Sequence, residues 1–179
     1  CGVVAASLLI AGNDAQRLFG EGRLAKALAV GITADGGVLC RSPDAQADLL
    51  EALLMLRATY AMRHADCPIV ITDAIQSVAP ALSGIVLGDG ATGSWQGCVP
   101  ARTVSAILEG VGHVVRPLRQ TREWGYQRMS SGGTVVLCDT APPPLAHLTQ
   151  NGCASTLAIE VSDGSQRIIV NCGGARPAA

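Results

Sequence analysis

The chain has 179 residues, of which 49% are hydrophobic and 15% are charged, and its formal net charge is −1. A charge this close to zero excludes the basic field by which nucleic-acid-binding proteins attract their ligand. No apolar run reaches the roughly 20 residues of a membrane-spanning helix, and the apolar start of the chain lacks the charged beginning of a signal peptide. The positive mean hydropathy, +0.34, therefore predicts apolar faces that other parts of a longer chain cover.

The first half of the chain is predicted to be helical. Residues 2–10 read as the end of an apolar helix, and Asn13 or Asp14 is suited to cap a second helix with a stripe of leucines. Residues 33–42 form a predicted loop. The clearest helix then starts with Ser42 as N-cap and Pro43 at the first helical position. A further helix is predicted from Pro68 to about residue 82 or 84.

A glycine-rich loop at residues 88–97 and a short helix within residues 99–112 follow. Residues 114–123 carry Arg116, Arg119 and Arg122 around a proline, and this pattern predicts an exposed connector between a helical and a β half. We name residues 114–123 the arginine connector.

After residue 124 the hydrophobic period changes to two, which is typical of strands. Strands are predicted at residues 125–129 and 134–138, and a hairpin follows with a turn at residues 163–165. Its first strand alternates Leu157, Ile159 and Val161 with polar or small residues, so these three side chains are predicted to form its buried face. The chain stops soon after the hairpin, which predicts that it is a fragment of a longer protein.

No complete catalytic motif is present. The three histidines are scattered, and the seven cysteines include no C-x-x-C pair, so most cysteines are predicted to be reduced and buried. The glycine-rich loop lacks the preceding strand of a phosphate-binding loop. The arginine connector with Trp124 and Tyr126 leaves two alternatives open: binding of an acidic sugar through charged hydrogen bonds and ring stacking, or a solvated linker.

Several motifs, taken in order, resemble bacterial heparinase II/III-like proteins. They are Gly-Tyr-Gln-Arg-Met at residues 125–129, Asp139 with three prolines at residues 142–144, Ser-Thr-Leu-Ala-Ile-Glu-Val-Ser at residues 155–162, and Arg-Ile-Ile-Val-Asn-Cys-Gly at residues 167–173. The helical half adds Asp-Gly-Gly at residues 35–37 and Arg-Ser-Pro at residues 41–43. The resemblance implies a multidomain α+β fold, with an incomplete α/α toroid in residues 1–120 and the antiparallel strands of a β-sandwich in residues 121–179.

The same resemblance implies a function. Enzymes of this family cleave acidic, uronate-containing polysaccharides by β-elimination, in which a base removes a proton and a Tyr or His acid protonates the leaving oxygen. The implied protein is a polysaccharide lyase of the cell envelope or periplasm with an acidic polysaccharide as partner. The candidate substrate-binding residues are Arg122, Tyr126, Arg128 and Trp95, and the candidate catalytic residues are Asn151 and Tyr126.

The sequence departs from the family pattern at its histidines. The family's His-x-His segment falls on Asn151 and Cys153, and the aspartate that shares a zinc ion in some members falls on Asn171. Cys153 and Asn171 are therefore metal ligands by position only, and because a neutral Asn is a poor zinc ligand, no cofactor is expected. The alternatives are a catalytically degenerate protein that binds polysaccharide or serves envelope assembly, and an interaction module without a sugar ligand.

Overall fold

The computed structural model describes residues 1–10, 12–98, 102–149 and 152–171. Helices come first and strands follow, as predicted. The elements are α1 (Gly2–Leu9), α2 (Asp14–Gly31), α3 (Pro43–Met62), α4 (Ile69–Gly84), α5 (Ser105–Glu109), β1 (Tyr126–Ser131), β2 (Thr134–Asp139), a 3-10 turn (Ala146–Leu148), β3 (Ile159–Asp163) and β4 (Gln166–Ile169). Among the described residues, no helix combines the length and the apolarity that a membrane span requires.

The start of α3 follows the predicted capping. The Ser42 side chain accepts a hydrogen bond from the Ala45 N–H at 3.4 Å, and Pro43 lies at the first helical position. Three residues along, the buried side chain of Gln46 accepts from the Val38 N–H at 2.8 Å and donates to the carbonyl of Gly36, also at 2.8 Å. The loop before α3 is therefore fixed by the helix that it precedes.

The helical core lies between α3 and α4. Leu50, Leu53 and Leu56 of α3 and Ile75 and Leu82 of α4 are almost completely buried, and each contributes about 1.5–3 kcal/mol by leaving water. The core continues without a break into the β half, because the same cluster includes Trp95, Trp124, Tyr126 and Leu137.

The four described strands form one antiparallel sheet in the order β1-β2-β3-β4. Its inner face packs against the helical half and carries Leu137, which lies opposite Glu160. Its outer face carries an apolar row, one residue per strand, that the pairing register aligns: Met129, Val136, Val161 and Ile169.

The predicted buried face of β3 is wrong. Leu157 is 73% exposed and Ile159 is 41% exposed, whereas the polar neighbours Glu160 and Ser162 are completely buried. The strand presents its polar side chains to the interior because Glu160 is held there by an ion pair with Arg167 at 3.0 Å. The apolar side chains of β3 consequently lie on the outer face.

The other boundaries differ by a few residues. The predicted helix at residues 99–112 is reduced to Ser105–Glu109, and residues 99–101 lie outside the described part. The six cysteines of the described ranges are unpaired. Most cysteines were predicted to be buried, but Cys98 alone among these six is buried and Cys1 is exposed. The predicted division at residues 120 and 121 falls within the arginine connector and stays a prediction.

Candidate functional site

Arg41 lies at the centre of the contact region between the helical half and the sheet, which we call the seam. This residue has a φ of 56° and is 6% exposed, and its side chain crosses from the loop before α3 into the β half. Its Nε donates to the carbonyl of Trp124 at 2.8 Å, its Nη1 donates to the carbonyl of Pro142 at 2.7 Å, and its Nη2 pairs with the carboxylate of Asp139. All three guanidinium nitrogens are therefore used, and the ion pair lies in the protein interior.

Asp139 extends this ion pair into a buried network. The Ser155 hydroxyl donates to Asp139 Oδ2 at 2.5 Å, and Gln96 Nε2 donates to Ser155 Oγ at 2.9 Å. Gln96 also holds Cys153, whose N–H donates to Gln96 Oε1 at 2.9 Å and whose Sγ accepts from the Gln96 N–H at 3.3 Å. The glycine-rich loop, which carries Gln96, is thereby joined to the β half.

Three aromatic rings fill the seam beside this network. Trp95 stacks on Tyr126 with 5.2 Å between ring centroids, and Trp124 meets Tyr126 edge to face at 4.9 Å. The Tyr126 hydroxyl donates to the carbonyl of Arg41 at 2.7 Å, and burial raises the pKa of Tyr126 well above its usual value. The sequence predicts that Trp95 and Tyr126 contact sugar, but the structure buries both rings, with 0% and 3% exposure. Their apolar surface is used for packing between the two halves.

A second cluster of charges closes the far end of the seam. Arg167 of β4 binds Asp89 of the glycine-rich loop through Nε at 2.7 Å and Glu160 of β3 through Nη1 at 3.0 Å. Glu160 also accepts from the Ser94 N–H at 2.8 Å. Burial acts to raise the pKa of Asp89, but the hydrogen bonds from Arg167 and Ala91 outweigh it and lower that pKa. The carboxylate of Asp89 is therefore held in its charged form.

Arg128 lies at the edge of the seam, on the inner face of β1. Its Nη1 donates to the carbonyl of Val86, just beyond the end of α4, while its Nε is buried without a partner among the described residues. Burial and the neighbouring charge of Arg119 lower the pKa of Arg128. Unlike Arg41 and Arg167, Arg128 has no acidic partner in the described ranges.

Among the described residues, the remaining predicted site residues do not form one cluster. Arg122 is exposed on the arginine connector, and Asn151 lies outside the described residues. Asn171 donates through Nδ2 to the carbonyl of Ile159 at 3.2 Å, whereas Cys153 is bound by Gln96. Within the described ranges no three His, Cys, Asp or Glu side chains are grouped so as to hold a metal ion. In the part of the chain that the structure describes, Cys153 and Asn171 thus have no third ligand with which to hold a metal ion.

Sequence reasoning missed the residues that organise the seam. Arg41 and Asp139 were part of the family motifs, but nothing in their spacing indicates that they meet across 98 positions. Glu160 and Arg167 are the second missed pair. A signal was present, since a charged residue in the middle of an apolar strand is unusual unless it has a buried partner.

Comparison with a protein-family model decides the family of the β half. Residues 113–179 match the model described as "Heparinase II/III-like, C-terminal". These residues belong to the heparinase II/III-like family. The resemblance predicted from the motifs is therefore confirmed.

Solved structures of heparinases share the fold. The heparan sulfate lyase HepC from Pedobacter heparinus superposes with a TM-score of 0.68 and 14% identity, over 96% of this chain and 31% of that one. A heparinase III superposes with a TM-score of 0.72 and 12% identity, over 95% of this chain and 31% of that one. The predicted fold class, helices of a toroid followed by antiparallel strands of the β domain, is confirmed.

A related protein is named for its localisation with FtsZ and not for a polysaccharide. FtsZ-localized protein C from Caulobacter vibrioides is 32% identical over 151 residues, which are 83% of this chain and 26% of that protein. The chain thus spans about a quarter of the length of this relative and under a third of each heparinase structure.

Proposed function

We propose that the full-length protein binds an acidic polysaccharide of the cell envelope on a heparinase II/III-like scaffold, and that this segment supplies binding contacts without an acid or a base. The observation that carries the proposal is the arginine connector. Arg116, Arg119 and Arg122 are all exposed, and no acidic side chain of the described ranges lies within ion-pair distance of them.

Unpaired surface arginines suit a polymer of acidic sugars. A guanidinium presents its N–H groups in a planar fork that matches a carboxylate or sulfate, and such charged hydrogen bonds are stronger than neutral ones. Several other arginines are already paired with acidic side chains, for instance Arg102, which pairs with Asp48 and Glu51. The connector thus keeps its positive charges available for a ligand.

The surroundings and identities of the candidate catalytic residues support binding without cleavage. Tyr126 is buried and donates its hydroxyl proton to the carbonyl of Arg41, so it is not available as an acid. By resemblance, the two family histidines are replaced by Asn151 and Cys153, and neither an amide nor a thiol bound to Gln96 is suited to take the proton of a uronate.

The binding proposal is tested with the full-length protein and immobilised uronate polymers such as heparan sulfate and alginate. Replacing Arg116, Arg119 and Arg122 together by Gln is expected to weaken binding at least tenfold, since each charged hydrogen bond contributes about 1.5–3 kcal/mol. The control replaces three other exposed cations, Arg23, Lys26 and Arg63, by Gln. Equal losses in both variants, or no binding by the parent protein, would contradict the proposal.

A lyase remains the second candidate, because the fold neighbours include a heparan sulfate lyase. The test is the ultraviolet absorbance of the unsaturated product during incubation of the full-length protein with the same polymers. Our proposal expects no product. Product that appears with the parent protein and not with a heat-denatured sample would overturn the non-catalytic proposal in favour of the lyase.

The curated relative supports a proposal about location. Because the relative is named for its localisation with FtsZ, we propose that the full-length protein is also found where FtsZ is. The test is a fluorescent fusion imaged together with labelled FtsZ in the organism of origin. A fusion that is active in the binding assay but spread evenly over the cell envelope would contradict this location.

A further inference from the structure

Arg128 is a partly buried cation that lies beside a second cation, Arg119, and has no acidic partner in the described residues. The two residues are joined by the backbone, since the Arg128 N–H donates to the carbonyl of Arg119 at 2.7 Å. Burial lowers the pKa of Arg128, and the nearby charge of Arg119 lowers it further. Two like charges on paired backbone segments repel each other, and an anion bound between them relieves that repulsion.

Contacts of the neighbouring residue Leu118 hold the backbone of the connector in place. The connector is fixed to α4 by the Leu118 N–H, which donates to the carbonyl of Pro80 at 3.1 Å. It also approaches Gly84 so closely that a Cβ at this glycine would lie 2.6 Å from the carbonyl oxygen of Leu118. These contacts fix the backbone of the connector at Leu118, next to Arg119, against the end of α4.

Capping of α4 explains only part of the position of Arg128. Its Nη1 satisfies the carbonyl of Val86 near the negative end of the helix. Its Nε has no partner, and its Nη2 has none in the described ranges and is not among the buried unpaired atoms. Nη2 is thus left for a ligand that reaches it from the solvent side.

We infer that Arg119 and Arg128 form a subsite for a single acidic group, a carboxylate or a sulfate of the polysaccharide. This inference rests on the proposed function, which involves the connector as a whole, and adds that one acidic group is bound between two particular arginines. The anion accepts hydrogen bonds from both guanidinium groups and neutralises their repulsion, so it binds more tightly here than at the isolated arginines of the connector.

The first test uses thermal unfolding of the full-length protein with inorganic sulfate as the probe, against chloride at equal ionic strength. Without sulfate, Arg119→Gln is expected to raise the melting temperature, because it removes the repulsion. With sulfate, Arg119→Gln loses the additional rise that the parent protein shows. The control Arg63→Gln, an exposed arginine at the end of α3, changes neither value. A lower melting temperature of Arg119→Gln without sulfate, or an undiminished response to sulfate, would overturn the subsite.

The second test separates the subsite from the proposed function. In the polysaccharide assay, Arg119→Gln and Arg128→Gln are each expected to weaken binding about tenfold, and the double variant little further, because the two act on one anion. Polysaccharide binding that depends on Arg116 and Arg122 alone would refute the subsite and leave the proposed function intact. A sulfate response that needs Arg119, in a protein that binds no polysaccharide, would refute the proposed function and leave the subsite.

Discussion

Asp139 is the residue on which the buried network of the seam depends. It is completely buried, and its two oxygens are bound by Arg41 and Ser155. We expect Asp139→Asn to lower the free energy of unfolding by about 3–5 kcal/mol, because it leaves the charge of Arg41 inside the protein without compensation. Chemical denaturation of the full-length protein measures this change.

The matched control is Asp73→Asn, which removes an exposed carboxylate from α4. We expect it to change the free energy of unfolding by less than about 0.5 kcal/mol. A loss below 1 kcal/mol in Asp139→Asn would mean that water reaches Arg41 and that the seam is less closed than the structure indicates.

The buried thiol of Cys98 predicts that the stability of the folded protein depends on pH. Burial, with the nearby carboxylate of Asp44, raises the pKa of this thiol from 9.0 to about 11. The thiol ionises earlier in the unfolded chain than in the folded one, so stability is complete below pH 9 and falls between pH 9 and 11. We expect the decline over this interval to be shallower in Cys98→Ala. Parallel curves for the two proteins would show that Cys98 does not contribute.

At the level of elements, the glycine-rich loop is locked against the β3–β4 turn. A Cβ at Gly88 would lie 1.8 Å from the carbonyl oxygen of Gly164, and the Gly88 N–H donates to Ser162 Oγ at 2.9 Å. We therefore expect Gly88→Ala to lower the melting temperature by several degrees, because the loop has to move away from the sheet.

The control for this prediction is Gly22→Ala in α2, where a Cβ would meet nothing within 4 Å. It is expected to raise the melting temperature slightly, since Ala is favoured over Gly in a helix by about 0.5–1 kcal/mol. The same sign of change in both variants would contradict the close approach at Gly88.

The elements also show what the sequence could predict. Ser42 and Pro43 fixed the start of α3 because capping depends on residues that are neighbours in the chain. The period of two located the hairpin, but the choice of the buried face of β3 failed. That choice is decided by Arg167 and by Ser94 on a distant loop, which satisfy Glu160 inside the protein. Local periodicity contains no information about such partners.

For the whole molecule, the site was harder to predict than the fold. The motifs indicated the family, yet they placed Trp95 and Tyr126 as ligand contacts when the structure uses them as the packing between two halves. An aromatic residue next to arginines is compatible with both roles. The two roles are distinguished only by the position of the helical half relative to the sheet, which no local pattern specifies.

The contacts across the seam further predict that the helical half and the sheet unfold in one cooperative step. One apolar core runs through both, and the ion pairs of Arg41 and Arg167 cross between them. In hydrogen exchange of the full-length protein, we expect the slowest amides of α3 and of β2 to have the same free energy of opening.

In the double variant Asp139→Asn and Arg167→Met, the slowest amides of β2 should exchange faster than those of α3. As a control, Arg102→Gln removes ion pairs confined to the helical half and should not separate the two groups. Separate opening in the parent protein would show that the seam does not unite the halves.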